Sequence, residues 1–179
     1  SPLKALAASL TKDSESVTVT ARLLDDLARD ARSLDLYVFR LLREQSGTAA
    51  KDRRLLLVID QFEELFTLCH NRQERKAFVD NLLTAAAGGQ TVIILTLRAD
   101  FYAHCAEFEN LRRVLENQQK YIGPMNREEL RRAIEEPARR NQWHFEAGLV
   151  ELLLKDVGDE PGALPLLSHA LLETWNRRQ

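Results

Sequence analysis

Leu55-Leu56-Leu57-Val58-Ile59-Asp60 sets an unbroken apolar run directly against a carboxylate. A short run without alternation suits a strand covered on both faces. Residues 91–97 form a second run, introduced by Gly88-Gly89 and closed by Arg98. Between them, residues 73–87 carry Ala77, Phe78, Leu82 and Ala85 on one helical face. Strand, helix, strand is the crossover unit of a parallel sheet, so the reading predicts an α/β fold. A third, weaker strand is expected at residues 120–122, after a helix through Leu111 and Leu115.

Outward from this unit the sequence reads as helix. Pro2 suits a first turn ahead of Leu3, Leu6, Ala7 and Leu10. Residues 11–16 are a polar break. Leu23, Leu24, Leu27, Ala28 and Ala31 then recur at helical spacing, extended by Leu34, Val38, Leu41 and Leu42, until a polar loop at residues 46–54. Past Gly123-Pro124, Asn126 followed by Glu129 is a helix start, and Pro137 ends or bends that helix. Further helices are expected at residues 149–157 and along Leu164, Leu167, Leu171 and Trp175. Two domains follow from this: a sheet-containing core over residues 1–122 and a helical subdomain over 123–179.

Composition narrows the function. The 179 residues are 45% hydrophobic and 29% charged, as in an ordinary globular protein with a real core. Basic and acidic residues, 25 and 27, are interleaved to a net charge of -2, so nucleic acid is not an expected partner. Cys69 and Cys105 are too few for a disulfide framework and read as small buried hydrophobes. Their neighbours His70 and His104 lack the spacing of zinc ligands. No apolar run reaches a membrane span and no secretory leader opens the chain, so the expectation is cytoplasmic. The start without Met is expected to mark a piece of something longer.

Ligands of open α/β sheets bind where parallel strands end. Asp60 and Arg98 stand at those ends. An acidic residue closing an apolar strand can hold Mg²⁺ through water, and a nearby carboxylate can orient the attacking water. Asp60 is therefore the magnesium candidate, and Glu63 or Glu64 the water-polarising group. Arg98 is placed to contact a terminal phosphate. Each has a plainer reading too. Asp60 suits a helix cap, Glu63 and Glu64 suit a first helical turn, and Arg98 can pair with Asp100.

The longer stretch Leu55-Leu56-Leu57-Val58-Ile59-Asp60-Gln61-Phe62-Glu63-Glu64-Leu65-Phe66-Thr67 resembles the Walker B segment of the novel STAND NTPases. Leu95-Thr96-Leu97-Arg98-Ala99-Asp100-Phe101-Tyr102 is similar to the family's sensor strand. Gly123-Pro124-Met125, Glu136-Pro137-Ala138 and the run from Gly162 to Trp175 continue the likeness in order. The resemblance implies a partial P-loop NTPase core followed by a small helical lid. It also implies a bacterial switch ATPase, often fused to WD repeats, that is closed with ADP and opened by ATP for homo-oligomerisation. ATP or ADP with Mg²⁺ are the implied cofactors. Pro165 falls where such proteins carry a lid proline near the adenine, although Gly162 precedes it by three residues where the family motif has two. Pro165 equally suits the first turn of a helix.

G-x-x-x-x-G-K-[ST] occurs nowhere in these residues, so the chain itself has no backbone cradle or lysine for the β and γ phosphates. The resemblance places that loop upstream of Ser1, and the isolated chain is expected to bind nucleotide weakly and hydrolyse little or nothing. Two readings stand: part of a regulatory ATPase switch, or a non-catalytic interaction domain that kept the fold. Arg131, Arg132, Arg139 and Arg140 form a basic edge, and Glu128, Glu129, Glu135 and Glu136 beside them make it a solvated, salt-bridged face.

Overall fold

A computed structural model describes residues 1–12, 16–46, 53–157 and 164–177. The chain divides into two compact units, Ser1–Gln119 and Lys120–Gln179. Most of the polar loop expected at residues 46–54 lies outside the described residues, as does the centre of the break at 11–16.

The first unit is helix-rich around one small sheet. Helices α1 (Pro2–Leu10), α2 (Val17–Arg29) and α3 (Ser33–Ser46) precede strand β1 (Leu55–Ile59). A one-turn helix α4 (Glu64–Thr67) and the long α5 (Arg72–Ala87) lead to β2 (Thr91–Leu95). A 3-10 segment (Ala99–Glu107) and α6 (Glu109–Asn117) complete it. β1 and β2 pair in parallel, in register from Leu55 opposite Thr91 to Ile59 opposite Leu95. The crossover is therefore present, with α5 packed on β2 and on α1, α2 and α3.

The core lies on one face of the sheet. Leu55, Leu57, Ile59, Ile93 and Leu95 pack onto Leu3, Leu6, Leu27, Val38, Phe78, Val79 and Leu82. Asn81 is fully buried among them and spends its whole amide on the backbone. Nδ2 donates to the carbonyls of Leu27 and Ala77 at 2.8 and 2.9 Å, and Oδ1 accepts from the Leu34 amide at 3.1 Å. One side chain thus closes the corner between α2 and α3 onto α5.

The expectation of strands covered on both faces is corrected. Leu56, Val58, Val92 and Ile94 alternate with the core residues and are 56%, 58%, 40% and 50% exposed. An apolar run records that both faces suit apolar cover, but the helices of this unit supply only one layer. The expected third strand at residues 120–122 is also absent among the described residues. Tyr121 and Ile122 are exposed there, with no neighbouring strand to take their backbone groups.

The second unit is helical: α7 (Arg127–Arg140), α8 (Leu149–Val157) and α9 (Leu164–Asn176). Asn126 caps α7 in a capping box, its side chain accepting from the Glu129 amide at 2.9 Å while Glu129 takes the Asn126 amide at 2.8 Å. Pro137 does not end α7, which runs on to Arg140. Leu130, Ile134, Val150, Leu153, Leu154 and Leu167 form its core. Arg127 and Arg131 both pair with Glu151, and Arg139 pairs with Glu136, a solvated face of opposed charges. Trp143 and Trp175 lie with ring centroids 4.0 Å apart and planes at 36°. No helix among the described residues is long and apolar enough to cross a membrane.

Candidate functional site

At the carboxyl end of the sheet the chain leaves β1 through Asp60, and the first residue past β2 is Thr96. Equal strand lengths put these two side by side. The ladder continues one step beyond the strands: the Thr96 amide donates to the Ile59 carbonyl and the Phe62 amide to the Thr96 carbonyl, both at 2.9 Å. The Thr96 hydroxyl donates to Asp60 Oδ1 at 2.5 Å and accepts from the Gln61 amide at 2.9 Å. That same amide also reaches Asp60 Oδ1 at 3.0 Å. Gln61 itself takes a left-handed backbone, φ 54°, which side-chain-bearing residues seldom adopt.

Asp60 therefore does not cap a helix; α4 begins four residues later, flanked by Glu63. Its carboxylate is exposed, with Oδ1 held twice and Oδ2 without a protein partner among the described residues. Glu63 and Glu64 part company. Glu63 is half-buried and its Oε2 accepts the Arg98 amide at 3.4 Å. Glu64 is exposed and lines a cavity of 410 Å³ together with Asp60, Gln61, Ser1, Leu6 and Leu68.

Arg98 follows β2 and projects its side chain into solvent. Its guanidinium meets Asp100 at two points, Nε to Oδ1 at 3.1 Å and Nη2 to Oδ2 at 2.8 Å, and lies 5.8 Å from the Phe101 ring centre. The hydrogen bonds it donates to Asp100 raise the Arg98 pKa, and Glu63 adds a smaller push in the same direction. In return Arg98 lowers that of Asp100. Beneath, rings connect the two strand ends. Phe101 lies 5.2 Å from His104, His104 lies 5.4 Å from Phe66 of α4, and Phe66 meets Phe62 edge-on at 6.0 Å. Arg98 and the turn after Asp60 thus rest on one aromatic bed.

Of the residues singled out from the sequence, Asp60, Glu63 and Arg98 come to one edge of one sheet, with Glu63 touching the Arg98 amide and Glu64 sharing a cavity with Asp60. Pro165 is an exposed residue in the first turn of α9, within the second unit. Gly162 lies outside the described residues. Thr96 and Gln61 were missed. Thr96 was hidden because the second apolar run reads on to Leu97, whereas β2 stops at Leu95 and so sets Thr96 beside Asp60. The left-handed turn at Gln61 carries no sequence signature such as glycine.

The donor chemistry at Asp60 suits a hard divalent cation. It offers oxygen only, in a single carboxylate with one atom open, and magnesium is commonly held by one or two carboxylates together with water and phosphate oxygens. Among the described residues no cluster of three or more His, Cys, Asp or Glu could hold a metal by itself. A cation at Asp60 would thus need oxygens from a phosphate and from water.

Among known protein families, the one described as Novel STAND NTPase 1 matches residues 1–179 of the chain. Neither the curated proteins nor the solved structures compared with the chain gave a match.

Proposed function

The chain belongs to the novel STAND NTPase 1 family, and from that premise we propose that it forms the magnesium side of an ATP-driven signalling switch. In this reading Asp60 holds the hydrated cation through Oδ2. Glu63, rather than Glu64, orients the attacking water, because it lies on the Arg98 side of the turn. Arg98 senses the terminal phosphate. The bound Mg²⁺ would neutralise phosphate charge and polarise the phosphoryl oxygens. The phosphate-binding loop comes from outside residues 1–179, since these contain no G-x-x-x-x-G-K-[ST]. The helical unit acts as a lid, with Pro165 toward the adenine. ADP holds the closed state, and exchange for ATP opens it to control oligomerisation or an attached effector.

The observation that carries this proposal is the sheet edge itself. Two parallel strands end level at Ile59 and Leu95, Asp60 and Thr96 stand side by side just past them with Arg98 two residues further on, and the Asp60 carboxylate is fixed with one oxygen open. The test is calorimetry of Mg-ATP and ADP with residues 1–179, with a longer chain that includes the loop, and with its Asp60→Ala variant. The expected result is binding by the longer chain alone, weakened by the substitution when Mg²⁺ is present.

A second reading, a non-catalytic interaction domain, draws on the exposed apolar face of Leu56, Val58, Val92 and Ile94. Absence of nucleotide binding at either length would favour it.

A further inference from the structure

We infer that Thr96 is the positioning residue of Asp60, an inference that rests on Asp60 being the magnesium-side carboxylate. A free aspartate at a strand end turns about two side-chain bonds and offers either oxygen in many directions. Here the Thr96 hydroxyl spends its only proton on Oδ1, at the short distance typical of a hydroxyl bonded to an ionised oxygen. The same hydroxyl oxygen accepts the Gln61 amide, which also points at Oδ1. Oδ1 is thus taken up by the protein and Oδ2 is the atom left to face a ligand.

The backbone adds a second constraint. Thr96 bonds to Ile59 before Asp60 and to Phe62 after it, so the turn carrying Asp60 is clasped on both sides by one residue of the neighbouring strand. Arg98 lies two residues further along the chain, past the end of β2. Thr96 links the phosphate-sensing side to the cation side without touching the nucleotide.

The test compares Thr96→Val, Thr96→Ser and Asp60→Asn in the full-length protein, by calorimetry of ATP with Mg²⁺ and with excess EDTA. Valine keeps the branched shape and removes the hydroxyl; serine restores it. Loss of one hydrogen bond to a charged group predicts about tenfold weaker Mg-ATP binding for Thr96→Val. Binding in EDTA should be unchanged, and Thr96→Ser should match the parent. Thr96 and Asp60 are both exposed, so water can replace the lost bond and the variant is expected to fold; circular dichroism checks this. If Thr96→Val does unfold, Thr96→Ser carries the test alone, and a Mg²⁺-dependent loss in that folded variant overturns the hydroxyl's role.

Equal binding by Thr96→Val and the parent overturns the inference while Asp60→Asn still weakens the Mg²⁺-dependent part. An equal loss with and without Mg²⁺ also overturns it, because a role in folding alone has no reason to follow the cation. If Asp60→Asn changes nothing, the assignment of Asp60 has failed, and the inference about Thr96 falls with it.

Discussion

The guanidinium of Arg98 is held by Asp100 through two parallel hydrogen bonds, Nε to Oδ1 at 3.1 Å and Nη2 to Oδ2 at 2.8 Å. Such a fork is the geometry by which arginine also binds phosphate, so in the proposed switch Asp100 and a terminal phosphate would compete for the same donors. Asp100→Asn removes the charge that holds Arg98 and should tighten ATP binding in the full-length protein. Both side chains are well exposed, which limits the gain to about fivefold and makes it shrink with added salt. Arg98→Ala should erase most of the preference for ATP over ADP. Calorimetry with both nucleotides checks these outcomes, and an unchanged preference in Arg98→Ala would remove Arg98 from the phosphate site.

Asn81 predicts a stability effect of another size. Substitution by leucine keeps the volume but strips the Leu27 carbonyl and the Leu34 amide of their side-chain partner inside the core. The expected cost is about 2–4 kcal/mol, by urea unfolding followed in the far ultraviolet. Hydrogen exchange should quicken in α3 and α5 and stay unchanged in α7 and α8. A loss below about 0.5 kcal/mol would mean that the corner is held by its apolar contacts alone.

Asp30 should reveal its partner on titration. The side-chain hydrogen bond from Arg32, helped by the Arg32 amide, lowers the Asp30 pKa from 3.8 to about 2. The folded value is the lower one, so the pair's contribution is complete above about pH 4 and is lost as pH falls through 2. Carbon-13 titration of the carboxyl should give a midpoint near 2, returning to about 3.8 in Arg32→Ala. An unmoved midpoint in that variant would assign the shift to another cause.

The two faces of the sheet should respond differently to the same change. Val58→Thr with Ile94→Thr alters residues already about half exposed, and is expected to leave the melting temperature within about 2 °C. Light scattering on heating should fall, because the apolar patch is smaller. Leu57→Thr, on the covered face, should instead cost about 1–2 kcal/mol. A large loss from the outer pair would show that this face is covered in solution.

The crossover was legible because its signals are local. Leu55–Ile59 and Thr91–Leu95 are short apolar runs bounded by charge and glycine, and α5 between them is long enough for its periodicity to be read. The capping box of Asn126 and Glu129 was legible for the same reason. Residues 120–122 look like a strand from composition, yet a strand exists only where a neighbour takes its hydrogen bonds, and composition cannot say whether one is near. The open outer face failed on similar grounds. At the site, Asp60 at the end of β1 could be read directly, whereas the second strand stops at Leu95 instead of Leu97 and leaves Arg98 beyond it, and Thr96 emerges beside Asp60 only when the two segments are laid side by side. The different surroundings of Glu63 and Glu64 likewise depend on where α4 begins.

Trp143 and Trp175 are the only tryptophans in the chain, and both belong to the second unit. At a 4.0 Å separation their excited states couple, so the unit carries its own optical signature: an exciton couplet in circular dichroism and an altered fluorescence yield. Loss of packing within the helical unit can therefore be timed by stopped-flow without any attached dye, while the sheet unit, which has no indole, stays silent at those wavelengths.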